Sequence, residues 1–309
     1  MDDATAADGG FPIFPLLVLA RWIHFASVFV LFGSALFWFY VDGVFSRARA
    51  QTNRLLRVSA LVAAVSGLGW IAGIIANMAG GFDRLADRET LALFFLQTQF
   101  GPVVAIRLIL LAAALVLGVL PGRGRWRLSA LLLVGAFLLI DQAWLGHAAE
   151  GGAGLWGALM VFVYCVHVLA AGAWLGGLPP LLFVLREAWG AREEKAVADV
   201  LLRFSFMALP AVALIVASGA GNIGFRVGAS FERLFMSDYG LVLCAKAALV
   251  AAMLVLAGYN RFVALPRLSS PAALAGQAAR LRASVACELA LGLAVLAAAA
   301  LLGVTPPPQ

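Results

Sequence analysis

Charged side chains are scarce in this 309-residue chain. Asp, Glu, Lys and Arg together make up 12%, about half the roughly 25% usual in soluble domains. Apolar residues make up 63%, and mean hydropathy is +0.99. So little polar surface cannot cover a water-soluble globule. Histidine and cysteine number three each. Cys165, Cys244 and Cys287 fall inside apolar runs with no close pairing, which does not support a disulfide framework. Lysine is almost missing: two residues against 20 arginines. There is no Walker loop, no Cys-x-x-Cys pair and no His-Glu-x-x-His, and no segment is large enough for an ATP-hydrolysing domain. The chain therefore reads as a non-enzyme. Its net charge of +6 is read as positive loops at a membrane face, with no nucleic-acid partner.

Long apolar runs take the place of what is missing. A spanning helix needs roughly 20 apolar residues. Eight such runs are read, at about 14–40, 55–78, 100–120, 127–146, 155–185, 204–224, 239–262 and 283–303. They are continuous and rich in Ala and Leu, unlike the alternating strands of an outer-membrane barrel. The fold class is an all-α polytopic membrane protein. Segment 83–97 reads as a short amphipathic helix at the interface. Arg and Lys in the connections after spans one, three, five and seven number 15, against four on the other side. This bias puts both termini in the periplasm. The acidic start (Asp2, Asp3, Asp8) has no basic region of the kind that opens a cleaved signal peptide.

The two halves read as tandem four-helix repeats. His24 precedes Gly33 by nine residues in span one, and His167 precedes Gly176 by nine in span five. Gly101 precedes Arg107 by six in span three, and Gly240 precedes Lys246 by six in span seven. Ser66-Gly67 in span two answers Ser218-Gly219 in span six. An even number of spans per half gives both the same orientation, with a pseudo-two-fold axis along the membrane normal. The expected division is a periplasmic tail 1–13, a first half 14–146, a second half 147–303 and a tail 304–309.

Ionisable groups inside a bilayer are costly and are candidates for function. His24 and His167 fall near mid-membrane at similar depth and could face one another. Each is either a neutral ring bonded to a neighbouring backbone or a ligand. His147 ends span four at the outer interface. Met160, Tyr164 and His167 share one helix face at i, i+4 and i+7. Imidazole and thioether suit copper, although a Met at this spacing also serves as plain packing. Arg21, Arg107 and Lys246 form a charged layer with Asp141 as counter-charge, either a packing network or a gate for an outer vestibule. Glu288, toward the cytoplasmic end of span eight, is either a relay or the partner of a loop arginine.

With these residues in view, the chain resembles the CopD family of copper-resistance inner-membrane proteins. The resemblance rests on HVLAAGAWLGGLPPL (167–181), with Trp174, Gly176 and Gly177, and on RFS (203–205) and Ser218-Gly219. It rests also on YGLVLCAK (239–246), with Tyr239 and Gly240, on GYNR (258–261), with Asn260, on Arg282…Glu288, on Gly146-His147-Ala148 and on RWIHFASVFVLFGSALF (21–37). It covers essentially the whole chain. The resemblance implies copper transport and homeostasis at the bacterial cytoplasmic membrane, conferring resistance, with a periplasmic copper-binding partner of the CopC type; the candidate ligands lie in the outer half, which favours movement from periplasm to cytoplasm. His147 would receive the copper ion, Met160 bridge the two levels, and His167 with His24 pass it on. The rival reading is a membrane cytochrome with His24 and His167 as axial ligands of haem b.

Overall fold

The computed structural model describes residues 13–41, 45–120, 124–146, 151–152, 154–190, 194–227, 235–266 and 274–306. Among them the regular structure is helical. The helices are α1 (Ile13–Tyr40), α2 (Ser46–Ala79), α3 (Arg88–Gln97), α4 (Phe100–Val119), α5 (Arg125–Ile140), α6 (Leu155–Gly190), α7 (Glu194–Val227), α8 (Asp238–Tyr259) and α9 (Leu274–Leu302). All but α3, with α5 extended by the turn that follows it to Leu145, are long and apolar enough to cross a membrane, giving eight spans. The chain is a multi-pass membrane protein.

Several boundaries differ from the expected ones. Helix α2 begins at Ser46 and α7 at Glu194, because a helix once nucleated continues past the bilayer edge where its residues allow it. Segment 83–97 is two pieces: a 3-10 turn at Phe82–Ala86, then α3. Asp87 divides them by capping α3, its carboxylate accepting from the backbone N–H groups of Glu89 and Thr90. Span four loosens into a 3-10 turn at Asp141–Leu145, and span seven ends in a π turn at Asn260–Ala264.

Helices α1, α2, α4 and α5 close into a bundle around α1. Helices α6, α7, α8 and α9 do not close in the same way. Helix α8 packs along α9, and a groove separates it from α7. The halves meet where α1 crosses α6. A Cβ added to Gly33 would strike the backbone of Gly172 and Gly176, and one added to Gly176 would strike the backbone of Phe29 and Gly33. Only glycine permits this approach, as in other close membrane-helix crossings. Pro180 cannot donate to the carbonyl of Gly176 four residues earlier. The Ser34 hydroxyl donates to that carbonyl instead, at 2.9 Å, so the proline in the span is compensated from the other half. Near the C-terminal end of α6, the Glu187 carboxylate accepts from the backbone N–H groups of Arg47 and Ala48 at the start of α2. Buried Arg127 donates to the carbonyls of Leu117 and Gly118 at the end of α4, where orphan acceptors need partners.

Candidate functional site

The first half holds a sealed charged cluster. His24 is fully buried. Its Nδ1 lies 2.9 Å from the carbonyl oxygen of Ala63 on α2. A carbonyl only accepts, so Nδ1 carries the proton and the ring is that neutral tautomer. Nε2 is then the acceptor, and Arg107 Nη1 donates to it at 2.8 Å. The same guanidinium donates to the Asp141 carboxylate and to the Leu138 carbonyl, and it stacks 4.6 Å from the Trp70 ring centroid. Trp70 also lies beside His24 and under Arg21. Gly67 makes room for the imidazole: a Cβ there would sit 3.1 Å from two ring atoms.

His167 is placed differently. Its Nδ1 is 3.0 Å from the Ser218 hydroxyl on α7, and a Cβ on Gly219 would lie 3.4 Å from the ring. The ring borders two cavities. One, of about 120 Å³, lies between the halves, with Arg21, Gln142, Tyr164, His167 and Lys246 among its polar lining. The other, of about 420 Å³, fills the groove between α7 and α8, with Tyr164, His167, Asn222, Tyr239 and Lys246 in its wall. His167, Tyr164 and Lys246 thus stand where the two cavities adjoin. Trp174, 3% exposed, borders the groove on one side and an inner pocket of about 60 Å³ on the other. That inner pocket contains Glu288, which accepts a hydrogen bond from the Asn260 amide, and Arg261, which donates to Ser205.

The expected facing pair of histidines is not formed. Each ring turns toward the helix that follows its own, His24 to α2 and His167 to α7, because a backbone carbonyl or hydroxyl waits there. Asp141 pairs with Arg107, not Lys246. Arg21 donates to the Gly303 carbonyl at the end of α9, at 2.9 Å. Glu288 accepts from the Asn260 amide; among the described residues no loop arginine pairs with it. Buried Met160 has its sulfur close to Gly151; His147, four positions before that glycine, lies outside the described residues. Among the described residues, no three His, Cys, Asp or Glu side chains form a metal-binding group.

Haem does not fit this arrangement. Both His24 nitrogens are engaged, and His24 borders neither cavity that His167 faces.

The motif glycines have local tasks. Gly240 N–H donates to the Ser237 hydroxyl that caps α8, and Gly101 N–H donates to the Thr98 hydroxyl at the start of α4. Gly177 lies against Phe204 and the Tyr40 hydroxyl. Sequence reasoning missed Trp70, the aromatic shelf of the charged cluster. It lies three residues after Gly67 and four after Ser66, on one helix face, which was the available signal. Gln142 was missed as well; it follows Asp141 directly and faces the central cavity.

Eight apolar spans define a multi-pass membrane protein. The family follows from comparison. Residues 8–158 match the family model "Copper resistance protein D-like, N-terminal domain", and residues 198–302 match "Copper resistance protein D". The chain is 30% identical to Copper resistance protein D of Pseudomonas syringae pv. tomato, over 95% of this chain and 97% of that one. It is 30% identical to Inner membrane protein YebZ of Escherichia coli (strain K12), over 81% of this chain and 85% of that one. It is 29% identical to Copper transport protein CutJ of Bacillus subtilis (strain 168), over 98% of this chain but 56% of that one. The chain belongs to the copper resistance protein D family. No solved structure matches it.

Proposed function

We propose that this protein carries copper inward across the bacterial cytoplasmic membrane and so supports copper resistance. The names of its relatives supply the copper and the inner membrane. The observation that carries the route is the position of His167, where the central cavity adjoins the α7–α8 groove. His167 is the mid-membrane ligand, with its ring oriented by Ser218. His147 and Met160 receive the ion at the outer face, handed over by a periplasmic copper-binding protein of the CopC type. His24 serves the path indirectly, by holding Arg107 in place. Trp174 partitions the outer groove from the inner pocket of Glu288 and Asn260, the exit side.

Orientation rests on the arginine bias, which puts both termini in the periplasm. The tandem-repeat reading is supported by the touching pair Gly33 and Gly176, since equivalent positions meet at a two-fold axis. It is supported also by Ser66 and Ser218, whose hydroxyls both bond back to carbonyls of their own helices.

The test is copper accumulation in cells expressing His167→Ala, with inserted protein quantified in the same membranes. Uptake per inserted protein should fall at least about tenfold, since a desolvated copper ion needs N or S donors in place of water. Unchanged uptake would remove His167 from the path. Reporter fusions at Arg125 and Gly151 should read cytoplasm and periplasm respectively; the reverse would invert the direction.

A further inference from the structure

Glu288 is a carboxyl group inside the last span, Ala279–Leu302, and is 3% exposed. The pocket beside it takes Trp174 from α6, Ser205 from α7, and Asn260 and Arg261 from the π turn that ends α8; the rest of its wall is apolar. Arg261 is the other ionisable group in that wall, and it is turned aside. Its guanidinium donates to Ser205 and lies near the rings of Phe206 and Phe262. His167, Tyr164 and Lys246 border the groove on the other side of Trp174. Helix α1 brings Arg21 only to the far end of α9, at Gly303. Arg282, six residues earlier on α9, is exposed. Among the described residues no cation pairs with Glu288. A carboxylate in a membrane without a counter-charge is costly, and a proton removes that cost.

The hydrogen bonding points the same way. The Asn260 amide nitrogen donates to one oxygen of Glu288. The amide oxygen of Asn260 is buried and has no donor, which is uncommon for a buried acceptor. A carboxylic acid and a primary amide have matching edges: C=O faces N–H on one side, and O–H faces C=O on the other. Ionised Glu288 can only accept, so it answers the amide nitrogen alone. Protonated Glu288 answers both atoms, and the orphan oxygen is met. The π turn at Asn260–Ala264 sets Asn260 at this place, and such turns are frequent at functional sites.

We propose that Glu288 is the proton-binding residue of this pocket, its acid O–H donating to Asn260 Oδ1, and that loss of the proton opens the pocket to the passing cation. The second half rests on the proposed copper transport; the proton site stands on the pocket alone. The step is a proton transfer. The carboxyl O–H bond breaks, its electron pair stays on the oxygen, and water takes the proton. The pocket, about 60 Å³, exceeds the ~15 Å³ that one water needs. Ionised, Glu288 attracts a cation past Trp174; protonated again, it lets the cation go.

Infrared spectra of the full-length protein in lipid, free of copper, test the proton. At neutral pH the wild type should show the C=O stretch of a protonated carboxyl, and Glu288→Gln should lose it. Glutamine can make both bonds to Asn260, so this variant should fold; if it does not, isotopic labelling of glutamate carboxyls assigns the band by its shift. Asn260→Leu should move the band to higher frequency, because the carbonyl loses its donor. A spectrum with no such glutamate band, or a band unmoved in Asn260→Leu, would overturn the site. Copper uptake against pH tests the gate. One titrating group changes its ionised fraction about tenfold per pH unit, so Glu288→Gln should lower the slope of log uptake against pH by about one. Equal slopes would overturn the gate. Because the band is read without copper, its absence leaves the His167 uptake test untouched, and failure of that test leaves the band standing.

Discussion

The two halves carry the same signals in the same order and use them differently. Each has a mid-helix histidine, a Ser-Gly pair on the next helix and a cation six residues after a helix-opening glycine. In the first half the cation is Arg107, and Asp141 on the fourth span meets it. The arginine then has a carboxylate on one side and the His24 ring on the other, and the four helices close. In the second half the cation is Lys246, which borders both cavities. Lysine offers a point charge rather than a planar fork. The bundle stays open between α7 and α8, and His167 borders cavities.

The largest effect should come from breaking the Arg107–Asp141 pair. Arg107→Ala or Asp141→Ala leaves a buried charge without its partner, which costs about 3–5 kcal/mol. Folded yield and thermal unfolding should show it, and Arg107→Met with Asp141→Leu should recover much of the loss. A tolerated single substitution would mean that the pair does not hold the half together.

Next is the glycine crossing on which both halves depend. Gly176→Val forces α1 and α6 apart at backbone contact, and overpacking of this kind costs about 1–3 kcal/mol or more. Loss of monodisperse protein in size-exclusion chromatography is the expected result.

The histidines sharpen the comparison most directly. His24→Ala removes an acceptor from Arg107 and a donor from the Ala63 carbonyl, so stability should fall by about 1–3 kcal/mol, while copper uptake per folded molecule persists. His167→Ala should do the opposite, with Tm close to wild type and uptake lost. Equal losses of uptake would show that the halves work as one site.

The smallest effect belongs to Asp87, outside the spans. Its hydrogen bonds from Thr90 hold its carboxyl below the usual range. Its contribution is therefore full above the unfolded value of about 3.9 and is lost as pH falls through the lower folded value. Asp87→Ala should slightly increase hydrogen exchange at the start of α3 at neutral pH, and the difference from wild type should vanish in acid.

The sequence alone determined that there are eight spans, and which few polar residues lie within them. Both follow from length and composition along the chain, which a bilayer reads directly. It showed also that Gly33 and Gly176 each follow a histidine by nine residues. It did not determine which way His24 and His167 point, that Asp141 chooses Arg107 over Lys246, or that α8 stands apart from α7. Helices apolar on every side carry no stripe that sets their rotation. Each of these choices joins residues at least 34 positions apart. Only packing brings such partners together, and it does so through a handful of buried donors and acceptors that must all be satisfied at once.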